Sequence, residues 1–145
     1  MLPFRKILCP TDFSAPSHVA LAKACELAAH FNAPLSLFHV VPPLIGVELY
    51  SVVEFEKESL DAARAQMDEL AALHIPPDIV HHTVVRLGIT EAEEIVREAD
   101  AEGADLIVMS THGLTGWRHM VFGSVTENVL HLANCPVLVV RTPQE

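Results

Sequence analysis

Apolar residues in this chain follow two alternating rhythms. The runs FRKILCP (4–10), PLSLFHVV (34–41), IVHHTVVR (79–86), DLIVMS (105–110) and PVLVVR (136–141) are short and rich in apolar or β-branched residues, and each predicts a strand. Helical periodicity fills the gaps between them. Residues 15–31 predict a helix with Ser14 as N-cap and Pro16 in its first turn. Residues 54–73 place Leu60, Ala63, Met67 and Leu70 on one face. Residues 90–104 open on a Thr90–Glu93 capping box and align Ala92, Ile95, Val96 and Ala99 in a stripe. A last helix is predicted over 124–134. Residues 44–53 are apolar without a period and read as a loop or as an extended entry to the second helix.

Five strands alternating with helices predict an α/β fold: a single-domain, doubly wound, five-stranded parallel sheet with helices on both faces. Right-handed crossovers and the order 3-2-1-4-5 are the default for such a chain. The 145 residues fit one domain spanning 1–145. In folds of this kind ligands sit beyond the carboxyl ends of the strands, where the winding reverses. Here that point lies between strands one and four. The loops expected there are PTDFS (10–14) and the glycine-punctuated stretch MSTHGLTGWRHMVFGSVTEN (109–128).

Charge narrows the partners. A formal net charge of −10 leaves no broad basic face for nucleic acid or an anionic membrane, but it permits a local site for one anion. The three cysteines, Cys9, Cys25 and Cys135, are far apart in apolar surroundings and read as reduced, buried thiols. No signal peptide or membrane-spanning run is recognisable, so a cytoplasmic location is expected.

The 109–128 stretch has the chemistry for phosphate. A glycine-rich loop feeding a helix start offers free N–H groups and the positive end of the helix dipole. Gly113, Gly116 and Gly123 let backbone approach closely, Ser124 and Thr126 add hydroxyls, and His112, Arg118 and His119 can supply positive charge. Each feature also has a structural reading. Ser124 with Glu127 forms a capping box whatever the loop binds, and the first two glycines can simply turn the chain.

Four segments carry a family resemblance. ILCPTDFSAPSHVALAKACELA, LFHVV, DLIVMSTHG and GSVTENVLHLANCPVLVVR resemble, in order, the universal stress protein (UspA) superfamily over nearly the whole chain. Its ATP-binding branch carries G-x2-G-x9-G-[ST]. Those positions fall on Ser110, Gly113, Gly123 and Ser124, with serine replacing the first glycine. The resemblance implies that Pro10, Thr11 and Asp12 meet the nucleoside end and that Val40 lines the adenine pocket beside Met109. It also implies that Gly113, Gly123, Ser124, Val125 and Thr126 cradle the phosphates, with Ser110, Thr111, His112 and Arg118 completing the loop. Read from the residues alone, Asp12 is either a ligand acceptor at the end of strand one or the start of an Asx-turn or helix cap.

No catalytic set is legible. Nothing places a base beside Ser124, and the nine histidines are scattered. His81 and His82 are neighbours on a strand and so face opposite sides. His18, His30, His39, His74 and His131 read as ordinary surface or core positions. The expected function is therefore ATP binding, with Mg²⁺ carried by the triphosphate, in a stress-response regulator with at most slow hydrolysis or phosphate transfer. A nucleotide-free interaction module is the alternative, which Ser110 keeps open. A phospho-accepting receiver fits poorly: Asp12 stands alone after strand one, and no lysine follows Lys57. The resemblance and the apolar edge strand 137–141 together predict a homodimer. No metal site is expected.

Overall fold

The computed structural model describes residues 2–46, 49–112 and 122–142. Its elements are β1 (Ile7–Pro10), α1 (Ala15–Phe31), β2 (Leu35–Val41), α2 (Leu49–His74), β3 (His81–Leu87), α3 (Glu91–Glu102), β4 (Leu106–Ser110), α4 (Ser124–Leu132) and β5 (Val137–Val140). The sheet runs β3-β2-β1-β4-β5 with every pair parallel. This is the doubly wound α/β order that the alternating pattern predicts.

Each strand divides its side chains between two helical layers. Ile7, Cys9, Leu35, Leu37, Leu106 and Val108 meet α1 and α2, which contribute Leu21, Ala24, Met67 and Leu70. Leu8, Phe38, Val40, Ile107 and Met109 meet α3 and α4 through Ala92, Ile95, Ala99 and Val129. With both faces covered, alternating polarity has no place, and β4 is accordingly buried along its full length. Cys9 and Cys25 are buried and Cys135 half-buried, all as free thiols; burial pushes the Cys25 thiol up to about 11.

Several boundaries differ from the sequence reading for local reasons. β1 begins at Ile7 rather than Phe4, because the Asp105 carboxylate takes the backbone N–H groups of Arg5 and Lys6 at 2.8–3.1 Å. α2 starts at Leu49, so the aperiodic stretch from 49 to 53 belongs to the helix. β3 starts at His81, because Ile79 is held in a turn by the Pro76 carbonyl and its side chain joins the core. Thr90 is the N-cap of α3 without a side-chain capping bond, so the predicted capping box is not formed. The N-cap of α4 is Gly123, which makes Ser124 the first helical residue and removes the second predicted box.

Helix α3 also carries a polar stripe that its apolar period concealed. Glu94, Glu98 and Glu102, four residues apart, are paired one by one. Glu94 lies 2.6 Å from Arg97, and Glu98 lies 2.6 Å from Arg86, close enough for an ion pair but without hydrogen-bond alignment. Glu102 lies 2.6 Å from His82 and 3.6 Å from Lys6, and accepts the Ser36 hydroxyl. Burial raises the Glu98 carboxyl, and its neighbour Glu102 adds to this, against the pull of Arg86. Burial also pushes Glu102 upward, but hydrogen bonds from Ser36, His82 and Glu98 outweigh it and hold the group below its ordinary value of 4.5.

The depressed Glu102 contributes stability that is present above pH 4.5, its ordinary pKa, and lost as the pH falls through the folded value. Glu102→Gln should therefore lower stability by about 1–2 kcal/mol at pH 7. Thermal unfolding at a series of pH values should show that deficit shrinking below pH 4.5. A deficit constant from pH 7 to pH 3 would assign the loss to packing instead.

Candidate functional site

Pro10 ends β1, and the chain turns at once. The Thr11 N–H bonds to the Phe38 carbonyl of β2 at 2.8 Å. Its hydroxyl is occupied internally: it accepts the Phe13 N–H at 3.1 Å and lies 3.0 Å from the Ser17 hydroxyl. Since Ser17 gives its one hydrogen to the Ser14 carbonyl at 2.7 Å, Thr11 is the donor of that pair. Asp12 Oδ1 accepts the Ser14 N–H at 3.0 Å, an Asx-turn, and also the Ser14 hydroxyl. Ser14 then caps α1 by accepting the Ser17 N–H.

On the other side of the switch point, β4 ends at Ser110, whose hydroxyl donates to the His112 carbonyl at 2.8 Å. Thr111 is buried, taking the Val140 carbonyl through its N–H and the Gly123 N–H through its carbonyl. Thr126 is buried too, its hydroxyl donating to the Ser110 carbonyl at 2.8 Å. These bonds tie the end of β4 to the first turn of α4. His112 Nδ1 is buried and has no hydrogen-bond partner among the described residues. Gly113, Arg118 and His119 lie outside those residues.

Gly123 sits at the junction with φ −69° and ψ 163°, a conformation open to any residue. A Cβ there would meet the Thr111 carbonyl at 3.5 Å and His112 Cα at 3.7 Å, both ordinary contacts. Neither the backbone nor the packing of the described residues requires glycine. Gly88, in the β3–α3 turn, is the opposite case: a Cβ would stand 2.3 Å from Glu94 Cγ, so a larger residue there would have to displace the Glu94 side chain.

A cleft of about 310 Å³ opens beyond the strand ends on the α3–α4 side. Val40 and Pro42 line it from the end of β2, Gly88 to Ala92 from the β3–α3 turn, and Ser124, Val125 and Asn128 from α4. Two helix N-termini without side-chain caps thus face one space with mixed polar and apolar walls. Among the described residues, neither the turn after β1 nor residues 111–112 and 122–123 line this cleft. Val40 is a wall, whereas Met109 is packed in the core below. Asp12 is near enough to act on Glu91 at the cleft edge: partial burial raises the Glu91 carboxyl, and the Asp12 charge raises it further. The crevice is therefore polarised, with carboxylates near the β1 and β3 turns and helix-start amides at α4.

Pro42, Gly88, Ile89, Thr90, Glu91 and Asn128 are wall residues that the sequence reading did not select. Their signal was GIT (88–90) between a strand end and a helix start, which any βα turn of this fold could supply. Among the described residues no cluster of three metal-ligating side chains occurs, and no helix is long and apolar enough to cross a membrane.

The universal stress protein family model matches residues 3–141. The chain belongs to the universal stress protein family. It is 34% identical to universal stress protein MJ0531 of Methanocaldococcus jannaschii, across 98% of this chain and 85% of that protein. The solved structure of MJ0577 from the same organism superposes with a TM-score of 0.82 at 34% identity, covering 98% of this chain and 99% of the other. A solved universal stress protein in complex with cAMP superposes with a TM-score of 0.68, covering 97% and 98% of the two chains. At 24% identity that likeness is one of fold. In this universal stress protein the turn after β1 and the end of β4 lie where the winding of the sheet reverses.

Proposed function

We propose that the chain is a nucleotide-dependent stress-response regulator that binds ATP, with Mg²⁺, through one domain spanning 1–145. The observation that carries this reading is Gly123. The described residues leave room for a side chain there, yet the residue is glycine, at the start of a helix whose first amides lack a side-chain cap among them. A ligand approaching that backbone closely accounts for both facts, and a phosphate is the group that helix-start amides and their dipole attract. The match of Gly113, Gly123 and Ser124 to the ATP-binding motif supports an adenine nucleotide.

The nucleoside end seats toward Val40, with Asp12 as an acceptor. The phosphates lie along the backbone of Ser124, Val125 and Thr126, with Ser110, Thr111, His112, Gly113 and Arg118 forming the neighbouring loop. Bound Mg²⁺ would neutralise phosphate charge. The chain's own residues bind and orient, and any hydrolysis or phosphate transfer is slow.

The alternative, a nucleotide-free interaction module, draws on Ser110. Its hydroxyl is turned onto the His112 carbonyl, in the space that a glycine at the first motif position leaves open. Equilibrium dialysis against Mg-ATP separates the two readings. Saturable, micromolar binding of one nucleotide per chain is expected, and no uptake at millimolar ATP would favour the module.

We further propose a cytoplasmic homodimer through 137–141. β5 is an edge strand, and Leu138 on it is 39% exposed, an apolar edge that a second copy would cover. A monomer by light scattering at micromolar concentration would refute this arrangement.

A further inference from the structure

His39 lies near the end of β2, and its ring faces the β1–α1 turn rather than the cleft. Its Nδ1 stands 2.7 Å from the Thr11 carbonyl oxygen. A carbonyl only accepts, so Nδ1 carries the hydrogen and donates. The ring also lies 4.4 Å, centroid to centroid, from the Phe13 ring at a tilt of 47°. Phe13 itself has φ 64°, in the left-handed region that a bulky side chain rarely occupies. Such a residue keeps that conformation only where its surroundings over-determine it.

The surroundings are specific: Phe13 packs against the α1–α2 core layer, and the Asp12–Ser14 Asx-turn spans it. Phe13 is held from one side by its N–H bond to the Thr11 hydroxyl and from the other by the His39 ring. Thr11 is anchored to β2 twice, through its N–H to Phe38 and through its carbonyl to His39. Between Thr11 and Phe13 sits Asp12. Its backbone direction is therefore fixed by the residue before it, which His39 bonds, and the residue after it, which His39 packs against.

The geometry points to His39 as a positioning residue of the nucleotide site: the Nδ1–H bond and the ring beside Phe13 hold the strained turn that carries Asp12. The inference rests on the proposed nucleotide reading for its effect on binding, but its effect on the turn is independent of any ligand. Burial lowers the imidazole below its ordinary value, which the Thr11 bond and the Asp12 charge only partly offset.

The test compares His39→Leu, which removes the donor, with His39→Asn, whose amide can place a donor where Nδ1 stands. Two readouts are taken on the full chain: amide hydrogen exchange at Phe13 and Ser14 without ligand, and Mg-ATP affinity. His39→Leu should accelerate exchange at both amides about tenfold and weaken Mg-ATP about tenfold. His39→Asn should restore both to within about threefold of the original chain. In an Asp12→Ala background, His39→Leu should cost little further affinity, since the residue it positions is gone.

Unchanged exchange at Phe13 and Ser14 in His39→Leu would overturn the inference. So would an equal loss of affinity with and without Asp12. Failure of the original chain to bind Mg-ATP would instead refute the nucleotide reading, while the exchange measurements would still decide what His39 does. Should His39→Leu fail to fold, His39→Gln, with its donor displaced by one methylene, provides the same comparison.

Discussion

Gly123→Val should weaken Mg-ATP binding about a hundredfold, equivalent to about 2.7 kcal/mol, while leaving the fold intact. Valine is at home at φ −69° and ψ 163°, and among the described residues its Cβ meets nothing closer than 3.5 Å. Losing glycine from an N-cap costs only a few tenths to about 1 kcal/mol of stability. The added methyls, however, stand where a phosphate would contact the first amides of α4. Titration calorimetry and thermal unfolding on the same sample separate the two effects. A variant that unfolds would show that Gly123 serves packing, and one that binds ATP normally would place the phosphates elsewhere.

Phe38→Ala should have the largest effect on stability, about 4 kcal/mol, the usual cost of removing a buried aromatic side chain. Phe38 is fully buried on β2, in the layer that α3 and α4 cover. The Arg86 guanidinium lies 5.8 Å from the centre of its ring, so truncation also removes the face on which Arg86 rests. For a chain of this size the melting temperature should fall by roughly 10–15 °C. Folded domains have only about 5–15 kcal/mol in total, so urea unfolding will report the loss directly. A shift under about 1 kcal/mol would mean that α3 and α4 collapse onto the vacated space.

The two effects differ because the cleft and its foundation follow different rules. Phe38 stabilises by area and shape, on a strand whose register with β1 and β3 leaves it no alternative position. Gly123 contributes nothing to that packing, and its importance is expected only when ligand is present.

How legible the molecule was in its sequence depended on how far apart the determining residues lie. Strand and helix alternated audibly because the central strands β1, β2 and β4 are buried on both faces, while the helices bury one. The order 3-2-1-4-5 then followed from crossover handedness and the commonest winding. The α1 cap at Ser14 was equally readable, since a cap involves residues three apart. The capping boxes at Thr90 and Ser124 were misread for the same locality: Thr90 took the cap position without a side-chain bond, and Gly123 rather than Ser124 took the other.

What could not be read was contact across the fold. His39 is one of nine histidines, and only the folded chain sets its ring beside Thr11 and Phe13. Glu94, Glu98 and Glu102 look like a solvent-facing stripe until β3 supplies Arg86 and His82 and the β1 lead-in supplies Lys6. The cleft walls at Ile89, Thr90 and Glu91 come from a third loop, because the space beyond β2 lies on the α3 side of the switch point. Sequence periodicity reports which face of an element is buried, not which distant residue meets it.

The central claim is that the first amides of α4 hold the phosphates of an adenine nucleotide. The most direct measurement is an amide-resolved NMR titration of the chain with Mg-ATP. Saturating shifts at Ser124, Val125 and Thr126, together with Asp12 and Val40, are the predicted result. Saturation confined to other residues, or no shift at millimolar ATP, would contradict it.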